Sequence, residues 1–130
     1  MEGINNENRE YLGKKIFIFE DEDMNFNFYK MRLENLGFVV FRGETCDSVQ
    51  EELQQNSDLF KGVDLFIFDY LDGQGGKFIE FLDKIKLDNP DAKLVANSGS
   101  NNDDYVKAGI TSTNEKKNAK SLEEIVKGLF

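Results

Sequence analysis

The sequence predicts an alternating α/β fold, a doubly wound five-stranded parallel sheet wrapped by helices, and three observations predict it. The runs Lys15-Ile16-Phe17-Ile18-Phe19 and Val63-Asp64-Leu65-Phe66-Ile67-Phe68 have the length and dense hydrophobicity of strands buried on both faces. The stretches between such runs place apolar residues at helical spacing, so strands alternate with helices. Both runs end on acids, Glu20-Asp21-Glu22-Asp23 and Asp69, and ligands of parallel sheets bind at the carboxyl ends of strands where the strand order reverses.

Taken in order, residues 1–14 are polar and without period and read as an N-terminal arm, anchored at its end by Tyr11 and Leu12, ahead of one domain over 15–130. After the first strand, Phe26, Tyr29, Leu33 and Leu36 define a helix that Gly37 ends in a left-handed cap. Phe38–Phe41 supplies a second strand, and Ser48-Val49-Gln50-Glu51 reads as a capping box opening a helix that buries Val49 and Leu53. The third strand, Val63–Phe68, leads through the Gly-rich loop Asp72-Gly73-Gln74-Gly75-Gly76 into a helix with Phe78, Leu82 and Ile85 on one face. Asn89-Pro90 breaks that helix, and Lys93–Ala96 makes a fourth strand. Asn101–Ala108 leaves room for only about two helical turns, a shortened fourth helix. Ile110–Asn114 is the weakest strand, and Ser121-Leu122-Glu123-Glu124 reads as the capping box of a last helix with Leu122, Ile125, Val126 and Leu129 inward.

Bulk composition narrows the chemistry. With 25 acidic residues against 16 basic ones and a net charge of −9, the chain repels nucleic acid. No histidine is present, which excludes a Ser-His-Asp triad and the usual zinc sites and leaves carboxylates, hydroxyls and lysines. The one cysteine, Cys46, has no internal disulfide partner, the segment Met1–Asn6 lacks the basic and apolar regions of a signal peptide, and no run is long enough to span a membrane, so the expected compartment is the cytoplasm.

Glu20 and Asp21 end one strand and Asp69 another, so three carboxylates converge at one edge of the sheet. Their mutual repulsion is relieved by a hard cation with oxygen ligands, such as Mg²⁺. Ser98 at the end of the fourth strand adds a hydroxyl and Lys116 an ammonium, and the set suits a phosphoryl group. Glu22, Asp23 and Asp72 read instead as caps or solvated ends.

Four separated motifs, Phe17-Ile18-Phe19-Glu20-Asp21-Glu22, Asp64-Leu65-Phe66-Ile67-Phe68-Asp69, Ser98-Gly99, and Ala108-Gly109 followed by Lys116, resemble in order the bacterial response-regulator receiver family over residues 15–130. The resemblance implies a flavodoxin-like (βα)5 receiver fold, with the phosphoacceptor at Asp69, the hydroxyl at Ser98 and the lysine at Lys116. It implies Mg²⁺ held by Glu20, Asp21, Asp69 and the backbone carbonyl of Leu71. It also implies a stand-alone signalling phosphoacceptor, an enzyme only toward itself, that takes its phosphoryl group from a sensor histidine kinase or histidine phosphotransferase and acts on a protein target, without nucleic acid or membrane as partner.

Three departures from the family pattern stand out. The loop after Asp69 lacks the usual proline and is Gly-rich, Lys117 replaces a proline after Lys116, and Thr113 or its neighbour stands where the family carries a switching aromatic. The two missing prolines, together with the shortened fourth helix, motivate the alternative of a pseudo-receiver that binds protein without being phosphorylated. A haloacid-dehalogenase-type phosphatase would need an aspartate at the position of Leu71, and a flavin site would need a hydroxyl-rich loop in place of the four acids Glu20–Asp23.

Overall fold

The structure, a computed structural model, describes residues 11–69, 72, 73, 75–97, 103–110, 112–114 and 118–130. The chain runs β1 (Lys15–Phe19), α1 (Asp23–Asn35), β2 (Val39–Gly43), α2 (Cys46–Gln55), β3 (Leu65–Phe68), a 3-10 turn (Phe78–Phe81) leading into α3 (Leu82–Asp88), β4 (Lys93–Ala96), α4 (Asp103–Lys107), β5 (Ser112–Thr113) and α5 (Ala119–Leu129). The strands form one parallel sheet in the order β2-β1-β3-β4-β5. The doubly wound five-stranded fold expected from the sequence is the fold found, with a fourth helix of 5 residues among those described.

The alternation Ile-Phe-Ile-Phe in β1 and Leu-Phe-Ile-Phe in β3 builds the core. The strands pair Ile16 with Leu65, Phe17 with Phe66, Ile18 with Ile67 and Phe19 with Phe68. Successive side chains of a strand point to opposite faces, so one face of the sheet centre is aliphatic and the other phenyl. The aliphatic face lies under Phe26, Tyr29 and Leu33 of α1 and Leu122 and Val126 of α5. The phenyl face lies under Val49 of α2, Phe81, Leu82 and Ile85 of the α3 region and Tyr105 of α4. Phe19 stacks on Phe68 at 5.0 Å between centroids, and Phe60 meets Phe17 edge-on at 5.4 Å. Each such ring, fully buried, contributes roughly 1.5–3 kcal/mol.

Local signals mostly place the elements as expected, with instructive shifts at their starts. Gly37 adopts φ +104 and ends α1, while Phe26, Tyr29, Leu33 and Leu36 are buried as their spacing requires. The helices read as opening at Ser48 and Ser121 begin earlier, because Thr45 and Asn118 are the extended capping residues. Their side-chain oxygens accept from the N–H of Ser48 at 3.1 Å and of Ser121 at 2.8 Å, so each serine is the third helical residue. β2 is shifted to Val39–Gly43 because Arg42 and Gly43 still pair with Ile18 and Phe19. Tyr11 is buried and stacks on Phe38 at 5.2 Å, whereas Leu12 is half exposed, so the tyrosine does the anchoring. Among the described residues no helix is long and apolar enough to cross a membrane.

Candidate functional site

The register of the two central strands builds the site. Phe19 and Phe68 are paired, and the residues that follow them, Glu20 and Asp69, leave adjacent strands side by side. Backbone bonds hold both: Asp69 N–H donates to the carbonyl of Phe19 at 2.9 Å, and Glu20 N–H donates to that of Gly43 at 3.1 Å. One carboxylate oxygen from each of Glu20, Asp21 and Asp69 lies within 4.8 Å of the others. Glu20 and Asp69 are buried and Asp21 is partly exposed.

This donor set fits a small hard cation. Oxygens bound to Mg²⁺ at about 2.0–2.1 Å in an octahedron stand about 2.9 to 4.2 Å apart, so carboxylate oxygens within 4.8 Å of one another can be drawn inward onto one ion. Carboxylates so close repel one another, and a divalent charge among them removes that penalty.

Neighbouring residues aim the acids. Glu20 accepts through Oε2 from the N–H of Glu22 at 3.1 Å. Arg42, at the end of β2, donates from Nε to the carbonyl of Glu20 at 3.0 Å and from Nη1 to Asp23 at 2.8 Å, and lies 4.8 Å from the Phe26 ring centre. Gly73 sits against Asp21: a β-carbon there would come within 2.7 Å of its Oδ2. Asp72, read from the sequence as a cap or solvated end, is a buried cap. It accepts from the N–H of Cys46 at 2.8 Å, at the start of α2, and from that of Gly76 at 3.0 Å. The Gly-rich loop is thereby latched to α2. Burial, together with the hydrogen bond to Asp72, pushes the Cys46 thiol up to about 12.

On the other side, Asn97 follows β4 and Asn114 follows β5, and both are buried. Asn114 donates to Asn97 Oδ1 at 2.8 Å and accepts from the Ser121 hydroxyl at 2.7 Å, joining two strand ends to α5. Tyr105 of α4 is fully buried beside Phe68, and its hydroxyl donates to the backbone carbonyl of Asp69.

Of the site residues expected from sequence, the structure therefore brings Glu20, Asp21 and Asp69 together. Leu71, Ser98 and Lys116 lie outside the described residues. Sequence reasoning missed Tyr105, Asn97, Asn114 and the depth of Asp72. The signals were present: a lone aromatic in Asp103-Asp104-Tyr105-Val106-Lys107, and an amide at the end of each of two strands.

Two clefts accompany the site. One of about 690 Å³ is lined by Thr113, Asn114, Ser121 and Ile125 beside the amide pair. The other, about 760 Å³, lies at the opposite edge of the sheet between Lys14, Asp64 and Lys93, away from the acids.

No profile of a known family matches the chain, and no curated protein sequence matches it. Solved structures do. A response regulator receiver protein from Sinorhizobium medicae is 18% identical with a TM-score of 0.72, covering 90% of this chain and 94% of its own. A receiver domain from Methylobacillus flagellatus is 20% identical with a TM-score of 0.68, covering 91% of this chain and 99% of its own. One from Clostridium thermocellum is 20% identical with a TM-score of 0.68, covering 88% and 92%. The chain thus has the flavodoxin-like fold of response-regulator receiver domains.

Proposed function

We propose that this chain is a receiver that accepts a phosphoryl group on Asp69, with Mg²⁺ held by Glu20, Asp21 and Asp69, and signals by contact with other proteins. The observation that carries the reading is the meeting of these three carboxylates at the carboxyl edge of a receiver-type sheet.

In this reading the Asp69 carboxylate is the nucleophile. One of its oxygens attacks phosphorus in line while the bond from phosphorus to the imidazole nitrogen of a donor phosphohistidine breaks, leaving an aspartyl phosphate here and a free histidine on the donor. A bound cation supplies charge neutralisation to the phosphoryl oxygens. Arg42 and Gly73 keep Glu20 and Asp21 in place for it, and Tyr105 and Phe19 hold the backbone on either side of Asp69. The family resemblance implies that the Ser98 hydroxyl and the Lys116 ammonium would act on the phosphoryl oxygens and that the Leu71 carbonyl would be a further ligand of the cation. The donor is a sensor histidine kinase or histidine phosphotransferase, the setting is the cytoplasm, and the chain catalyses only its own phosphorylation and dephosphorylation.

Incubation with acetyl phosphate and Mg²⁺ followed by intact mass measurement tests this. The native chain gains one phosphoryl mass and Asp69→Asn gains none, since an amide is no nucleophile. A native chain that stays unmodified, and that beryllofluoride leaves untouched, is instead a pseudo-receiver working by binding alone.

A further inference from the structure

The side chain of Tyr105 ties α4 to Asp69. Of its five residues, Asp103 to Lys107, Tyr105 is the buried one, with no exposed surface, while Val106 faces outward. The ring of Tyr105 stands 5.6 Å from that of Phe68, the residue before Asp69. Its hydroxyl donates to the Asp69 carbonyl. The backbone carbonyl of the same residue accepts from the N–H groups of Ala108 at 3.1 Å and Ile110 at 2.9 Å, closing the helix and starting the path toward β5. One residue therefore holds the peptide that follows Asp69 and also the end of α4.

We propose that Tyr105 is a positioning residue for Asp69, fixing the peptide after it through the hydroxyl so that a change in the load on the Asp69 carboxylate is felt in α4. This rests on the reading of Asp69 as phosphoacceptor. A buried carbonyl deprived of its donor must find another or bear the loss, so the hydroxyl and the carbonyl move together. A phosphoryl group and cation on Asp69 draw the carboxylate toward them and turn the attached peptide. With no aromatic at Thr113, the ring that senses this turn is the one in α4. α4 is short and Tyr105 is its buried side chain, which makes it inexpensive to reorder.

Tyr105→Phe removes only the hydroxyl and leaves the ring in the phenyl layer, so the variant folds. Tyr29→Phe, on α1 over the aliphatic face, is the control for losing the hydroxyl of a buried tyrosine elsewhere. Amide hydrogen exchange of residues 103–110 is followed with Mg²⁺ alone and with Mg²⁺ plus beryllofluoride. In the native chain and in Tyr29→Phe, beryllofluoride shifts exchange in this segment by about fivefold, the effect of one hydrogen bond on an opening equilibrium. In Tyr105→Phe beryllofluoride still binds but the shift disappears. An equal shift in Tyr105→Phe, or none in the native chain although beryllofluoride binds, overturns the role of Tyr105 and leaves the acceptor reading standing. Failure of beryllofluoride to bind the native chain overturns both.

Discussion

The side-chain amide of Asn114 donates to the side-chain oxygen of Asn97 at 2.8 Å, and both residues are almost wholly buried at the ends of neighbouring strands. With β5 reduced to two residues, this pair and the bond from Asn114 N–H to the carbonyl of Ala96 at 2.8 Å extend the sheet's attachment beyond its last ladder rung. Truncating either partner leaves a buried polar group unsatisfied. Asn97→Ala and Asn114→Ala are each expected to cost about 1–3 kcal/mol. The double variant should cost less than the two together by about 1 kcal/mol, measured by urea denaturation. Strict additivity would show that the two amides do not work as a pair.

On the proposed reading Mg²⁺ binds only the folded state, so it is expected to raise the melting temperature of the native chain, and Asp21→Asn to reduce that rise by removing one of three carboxylates. The check is a thermal melt with and without millimolar Mg²⁺. A native melt indifferent to the cation speaks against the site.

Gly73→Ala tests the approach of the loop to Asp21. The new β-carbon meets the carboxylate oxygen at 2.7 Å and displaces it, while the rest of the fold is untouched. Mg²⁺ affinity measured calorimetrically is expected to fall about tenfold, or about 1.4 kcal/mol, with little change in the melting temperature. Unchanged affinity would mean that Asp21 is not a ligand.

Asp72→Ala is expected to destabilise by about 2–3 kcal/mol, because it strips a charged acceptor from the N–H groups of Cys46 and Gly76. Asp72→Asn, which keeps one acceptor oxygen, should lose less. Equal losses would place the effect in charge rather than in the latch.

The pH dependence of stability carries a signature of the same contact. The folded thiol of Cys46 lies near 12 against an ordinary value of 9.0, with burial the larger cause and Asp72 next. The neutral thiol is favoured by folding, so its contribution is complete below pH 9.0 and is lost as pH rises from 9.0 toward 12. Cys46→Ala should flatten that decline in denaturation curves at rising pH. A neutral thiol-specific reagent at pH 8 should label Cys46 only after unfolding.

The sheet and the three acids were legible because period-two and solid apolar runs report burial directly, and each run of β1 and β3 stops abruptly on a carboxylate. The N-terminal boundaries of α2 and α5 were not. Ser48 and Ser121 match the first residue of a capping box by type, while Thr45 and Asn118 do the capping three positions earlier. Tyr105 escaped because its partner is a backbone carbonyl, which leaves no mark on side-chain patterns. The Asn97–Asn114 pair escaped for a different reason: amides at strand ends usually serve turns, and only the parallel neighbourhood of β4 and β5 turns two separate amides toward each other.

The strand order β2-β1-β3-β4-β5 has a kinetic consequence. β1, α1, β2 and α2 are neighbours in sequence, and β1 pairs with β2, so this unit closes with short loops and little entropic delay. A nascent chain that has made only this unit carries Glu20 and Asp21 but not the third acid. Asp69 arrives when β3 slots in on the far side of β1, with the whole of α1, β2 and α2 looped out between the paired strands. Any ligand of the three carboxylates therefore meets a complete set only after the central pairing of the sheet has formed, and such a ligand acts on the chain's lifetime in the folded state more than on the speed with which it gets there.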